Sequence, residues 1–344
     1  MPSTAQDFEI AGIHIAPGET RTLQIPVATL YTSAPVSLPV RVVRGRETGP
    51  TLFVSAALHG DEIIGVEIIR RLLMMPAVKR LRGTLLAVPV VNTLAFVHQS
   101  RYLPDRRDLN RSFPGSETGS LAARLAHQFL KEVVGRSDYG IDLHTGAIHR
   151  PNLPQIRADL GNPENLRLAR AFGAPLLLNS EPTAGTLREY TTQKGIPVLL
   201  YESSEALRFD EVCIGIGVRG VLNVLHELGM LPGKSATPLH EPVIAKSSTW
   251  VRAPASGILR VMAALGSEVT KGQVIGVVAD PLGEKEWAVP STTDGVVIGR
   301  LSLPLVYEGD AVFHIARFGE PGAAAGVARH MKKAHARKPK RHRL

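Results

Sequence analysis

The sequence predicts an α/β fold: a mainly parallel mixed sheet flanked by helices, followed by a small C-terminal all-β domain. Three observations predict it. Continuous apolar runs at 51–58, 84–91 and 196–201 are long enough for strands buried on both faces. They alternate with segments of helical apolar period at 62–74, 120–134, 163–172 and 210–228, the order that builds a parallel sheet. The helical period ends near Leu231-Pro232-Gly233, and from Thr249 to Phe318 short β segments are punctuated by glycine, as in a separate β module.

Residues 1–48 read as an N-terminal β extension. Thr22-Leu23-Gln24-Ile25 and Val40-Arg41-Val42 alternate, and proline-rich connections mark them as edge strands. The main unit spans 49–235. Its first strand, 51–58, stops abruptly at His59-Gly60-Asp61-Glu62, and Ile64, Ile68, Ile69, Leu72 and Leu73 follow at helical spacing. Further strands are expected at 139–143 and 175–178. In 120–134, Leu121, Leu125, Phe129 and Val133 recur every four residues and make one stripe.

The β module spans 245–318. Its halves echo each other: 251–258 and 288–296 each set a proline, a turn, a glycine and an apolar strand. This resembles the barrel-sandwich of biotinyl and lipoyl carrier domains. Lys285, in Gly283-Glu284-Lys285-Glu286-Trp287, lacks the flanking pattern of a carrier lysine. A structural or oligomer-forming module is therefore expected, and a homo-oligomer is allowed.

The 344 residues are enough for two domains, and 44% hydrophobic with 21% charged residues excludes a disordered chain. No apolar run approaches the roughly 18 residues of a membrane helix. The N-terminus shows no basic segment leading into an apolar one, and Cys213 is the single cysteine. Both point to the cytoplasm. The net charge of +9 is concentrated in 320–344, a basic tail expected to be disordered, where no acid follows Glu320. Removing the seven lysines and arginines of the last thirteen residues leaves about +2 for the rest. Nucleic acid is thus not the expected partner, beyond weak contact by the tail.

His59 and Glu62 stand where a buried strand hands over to a helix, the place where open α/β sheets bind ligands. A mononuclear catalytic zinc site takes three protein ligands and keeps a position for water. The candidate third ligand is His144, in Gly140-Ile141-Asp142-Leu143-His144-Thr145-Gly146, again a short apolar strand ending in histidine. Asp142 lies two residues earlier on the same strand face and is placed to fix the imidazole tautomer, with Asp61 in a similar position. Between the ligands, 101–115 is a long polar loop with four arginines. Such loops in compact domains usually carry function, and arginine's planar fork suits a carboxylate. Glu202 ends the apolar strand 196–201 and is a candidate general base, with Glu205 its rival.

His59-Gly60-Asp61-Glu62, Asp108-Leu109-Asn110-Arg111 and Asp142-Leu143-His144-Thr145-Gly146, in that order, resemble the motifs of the succinylglutamate desuccinylase/aspartoacylase family, with its zinc carboxypeptidase-like fold. The resemblance covers roughly 40–230, and the β module fits the family's two-domain plan. It implies one zinc held by His59, Glu62 and His144. It implies that Asn110 and Arg111 bind a substrate carboxylate, with Arg150 a further candidate. Arg101 resembles the arginine that polarises the scissile carbonyl, and Glu202 the catalytic glutamate. The family's usual glycine soon after that glutamate is replaced by Ser203-Ser204. The implied activity is removal of an acyl group from an N-acyl amino acid or related small amide. A zinc carboxypeptidase and a non-catalytic scaffold are the alternatives.

Overall fold

The computed structural model describes residues 8–233, 242–319, 325–327 and 331. The chain opens with the hairpin β1 (Phe8–Ile10) and β2 (Ile13–Ile15), then β3 (Thr20–Thr29) and β4 (Pro35–Arg44). Val36, Leu38, Val40 and Val42 of β4 are buried in alternation, the period-2 signature of a strand with one covered face. Next come β5 (Thr51–Ala56), α1 (Ile64–Met74), β6 (Thr84–Val88), α2 (Thr93–Val97), α3 (Leu121–Glu132), β7 (Tyr139–Gly146) and β8 (Asn152–Ala158). The unit closes with α4 (Pro163–Phe172), β9 (Leu176–Asn179), α5 (Leu187–Gln193), β10 (Val198–Glu205) and α6 (Glu211–Glu227).

The C-terminal strands are β11 (Val243–Arg252), β12 (Gly257–Val261), β13 (Glu268–Val269), β14 (Val274–Ala279), β15 (Glu286–Pro290), β16 (Gly295–Arg300), β17 (Leu305–Val306) and β18 (Ala311–Phe318). One twelve-stranded sheet runs through both parts in the order β13-β16-β18-β11-β9-β8-β10-β7-β5-β6-β4-β3.

The expectation of a mainly parallel sheet is corrected. Parallel pairing is confined to two blocks, β6-β5-β7-β10 and β8-β9-β11. β8 lies antiparallel to β10, and β4 antiparallel to both β3 and β6. The reason is connection length. Parallel neighbours need a long crossover. The segment 147–151 between β7 and β8 is too short for one, so β8 turns back and β10 fills the place between them.

Two cores cover the faces of the central strands. On one side Ile64, Ile68, Ile69 and Leu72 of α1 pack with α6, β5 and β7. Each such side chain contributes roughly 2 kcal/mol on burial. On the other, Leu125, Phe129 and Val133 from the stripe around α3 are buried with Phe53, and the Phe53 and Phe129 rings meet edge to face at 6.1 Å. The second sheet, β15-β14-β12-β17, packs on the outer strands over Leu259, Ile275, Val278, Val289, Val297 and Phe313. That makes the module a β-sandwich.

Val327 is buried beside Leu153, Val296 and Ala316. The basic stretch from Lys332 onward lies outside the described residues. Among the described residues no helix is long and apolar enough to cross a membrane.

Candidate active site

The helix expected over 62–74 begins at Ile64, which leaves His59–Glu62 as a turn at the end of β5. Glu62 N donates to His59 O at 3.1 Å. Gly60 sits where a Cβ would fall 2.0 Å from the Ala95 carbonyl carbon, so only glycine lets this turn lie against α2. The turn aims His59 and Glu62 at His144, on the neighbouring strand end. His59 Nδ1 lies 2.6 Å from one Glu62 oxygen and His144 Nδ1 lies 2.8 Å from the other. The three residues are buried, and their donor atoms all fall within 4.8 Å of one another.

Each imidazole is gripped from behind. Asp142 Oδ2 lies 2.7 Å from His144 Nε2, and Asp142 Oδ1 accepts from Ser55 Oγ at 2.7 Å. The strand alternation foresaw that grip. At His59 the supporting carboxylate is Asp108, from the polar loop, which lies 3.0 Å from its Nε2. Asp61 instead turns its Oδ1 into a buried place without a hydrogen-bond partner. A short turn such as 59–62 cannot direct adjacent side chains both toward and behind the same point.

The electrostatics follow from burial and pairing. Burial alone would raise the Glu62 carboxyl, but His59 and His144 hold it well below the usual carboxylate range. Burial opposes charge on both histidines. Glu62 and Asp108 outweigh it at His59, and Asp142 and Glu62 outweigh it at His144, so both are raised above the ordinary value. Asp108 is likewise depressed despite burial, by His59 and Arg101.

A cavity of about 250 Å³ opens over this cluster. Arg101 lines it, held by Glu62 at 3.3 Å and Asp108 at 3.0 Å. Asn110 and Arg111 line it from a short turn capped by Asp108. Asn110 Oδ1 accepts from Leu187 N at 3.1 Å and Arg111 Nη1 donates to Asn110 O at 2.6 Å. Arg150 lines the cavity with its guanidinium 5.5 Å over the Trp250 ring. Glu202 lines it as well, in register with His144 on one side and Gln155 on the other. Beyond Glu202, β10 bulges, and Ser204 takes φ +62, the left-handed backbone that favours glycine. Past that bulge Glu205 is turned to the His149 N–H and Arg208.

Asn152, Arg157, Arg188 and Trp250 also line the cavity, and sequence reasoning missed them. Arg157 Nη1 donates to Glu202 Oε2 at 3.0 Å. Burial, with help from Arg157, lowers Arg188 to about 10. Trp250 belongs to β11 of the β module and stacks on His314 at 4.3 Å with planes 5° apart. The one readable signal for the first two was the segment 150–157, polar residues interrupted by Pro151 and Pro154 shortly after the His144 motif.

Residues 48–228 match the family model described as the succinylglutamate desuccinylase/aspartoacylase catalytic domain. The chain is 30% identical over 333 residues to the N-alpha-acetyl-L-2,4-diaminobutyric acid deacetylase of Halomonas elongata, over 92% of this chain and 95% of that one. It is similar to the product-bound structure of the ectoine utilization protein EutE (DoeB) from Ruegeria pomeroyi, with TM-score 0.79 and 26% identity over 87% of this chain and 94% of that one. It is also similar to a succinylglutamate desuccinylase/aspartoacylase from Rhodobacter sphaeroides, with TM-score 0.79 and 27% identity over 87% and 95% of the two chains. These likenesses extend beyond residues 48–228 into the C-terminal strands, and the chain belongs to the succinylglutamate desuccinylase/aspartoacylase family.

Proposed function

We propose that this chain is a zinc-dependent amidohydrolase that removes an acyl group from an N-acyl amino acid or a related small carboxylate-bearing amide. The observation that carries the reading is the His59–Glu62–His144 cluster beneath a cavity lined by Glu202 and several arginines. The donor set fits a catalytic zinc site: two imidazoles and one carboxylate, each imidazole oriented from behind by its own aspartate. Residues 49–235 form the catalytic unit in this reading, and 245–318 the module that completes its wall.

When bound, the ion supplies Lewis acidity that lowers the pKa of water and polarises an amide carbonyl. The chain's own residues do the rest. Asn110 and Arg111 anchor the substrate carboxylate and set the register of the scissile bond. Arg101, pinned by Glu62 and Asp108, offers N–H donors where negative charge develops on the carbonyl oxygen. Glu202 takes the proton from the attacking water and delivers it to the leaving amine. Arg150, supported by Trp250, adds positive charge at the rim. The likeness to an N-alpha-acetyl-L-2,4-diaminobutyric acid deacetylase favours a single amino-acid derivative over a peptide.

A substrate panel tests this. N-acetyl-L-aspartate, N-succinyl-L-glutamate, N-acetyl-L-2,4-diaminobutyrate and an N-blocked dipeptide are incubated with the zinc-loaded protein. Release of free acid and amine from an N-acyl amino acid is the expected result. Release of the terminal residue from the dipeptide alone would make the chain a carboxypeptidase.

A further inference from the structure

We propose that Asn152, seated by Gly299 of the β module and Gly146 of the catalytic sheet, is a positioning residue that sets the orientation of Glu202. The inference rests on the reading of Glu202 as general base.

Asn152 stands at the seam of the two parts. It begins β8 and is in register with Gly299 of β16. The β module is zipped along the segment before it: Arg300 N donates to Pro151 O at 3.3 Å and Ser302 N to His149 O at 2.7 Å. From this seam Asn152 Nδ2 donates to Glu202 Oε1, while Arg157 Nη1 donates to Oε2. Both oxygens of Glu202 are therefore tied to β8. Each keeps a lone pair for a proton, but the carboxylate loses its freedom to rotate.

The amide of Asn152 is held by crowding. A Cβ on Gly299 would lie 2.3 Å from its Oδ1, and a Cβ on Gly146 would lie 3.1 Å from its Nδ2. Gly299 is not among the glycines with positive φ, so space, not backbone freedom, requires glycine there. Asn152 Oδ1 is buried without a hydrogen-bond partner. Apart from the bond to Glu202, packing is what fixes the amide, and whatever displaces it moves the donor off Glu202. Gly299 thus links the seating of the β module to the geometry of Glu202, with no direct contact between them required.

The test uses the zinc-loaded full chain and the panel substrate with the fastest turnover. Asn152→Leu keeps the shape and removes the donor without adding charge beside Glu202. It is expected to lower kcat about tenfold or more, the scale of a hydrogen bond to a charged group, with KM and metal content close to wild type. Gly299→Ala is expected to lower kcat in the wild-type background and to have no further effect in Asn152→Ala, where no amide is left to displace. That cycle carries the test if Asn152→Leu does not fold. Wild-type kcat in Asn152→Leu, or independent multiplying losses from Gly299→Ala and Asn152→Ala, would overturn the inference. Glu202→Gln separates the two levels. If it is inactive while the Asn152 and Gly299 variants turn over normally, the positioning role alone fails. If Glu202→Gln turns over normally, the base assignment fails and the inference with it.

Discussion

Asp108 Oδ1 lies 3.0 Å from His59 Nε2, and its other oxygen accepts from Arg101 Nη2 at 3.0 Å. One carboxylate from the polar loop thus orients a metal-ligand candidate and an arginine together. Losing such a partner typically costs 10- to 100-fold in metal affinity. Asp108→Ala is expected to weaken zinc binding by about that range, measured by competition with a chelating dye. Unchanged affinity would remove Asp108 from the site's support.

Arg101 reaches the cluster at Glu62 and is held by Asp108 as well. Arg101→Ala is expected to lower kcat by about 10²–10³, the scale of losing one donor to a developing oxyanion. Zinc content should persist. A rise in KM at constant kcat would instead make Arg101 a simple substrate anchor.

Trp250 carries the β module into the cavity by supporting Arg150 at 5.5 Å. A cation–π contact of roughly 1 kcal/mol corresponds to about fivefold in affinity. Trp250→Ala is expected to raise KM by about that factor, with kcat changed less. Steady-state kinetics separates the two.

His314 is buried against Trp250, and burial with a contribution from Arg157 lowers its pKa to about 3. Its folded value lies below its unfolded value of 6.5, so the unfolded chain binds the extra proton between those limits. Stability from a neutral buried His314 is present above pH 6.5 and is lost as pH falls from there toward 3, by at most about 1.4 kcal/mol per unit. His314→Gln is expected to flatten this part of the stability–pH curve, followed by denaturant unfolding. An unchanged slope would contradict it.

How much was legible follows from the range of each interaction. His59, Glu62, His144 and Asp142 were readable because each sits at the end of an apolar run, and strand alternation puts Asp142 beside His144. The stripe of Leu125, Phe129 and Val133 was readable for the same local reason. Asp108's grip on His59 joins residues 49 apart in sequence, and no local period encodes it. The turned-back β8 escaped notice because Leu153-Pro154-Gln155-Ile156 is short and proline-broken. With β8 unseen, Asn152 and Arg157 beside Glu202 were unseen too. Trp250 drew no reading of its own within the β module, since its place in the cavity depends on β11 pairing with β9.

The most direct measurement is elemental analysis of the purified chain beside His144→Ala. About one zinc per wild-type chain, lost in the variant, is the expected result for a three-ligand site. A wild-type chain that holds no metal after zinc is supplied and the excess removed would contradict the central claim.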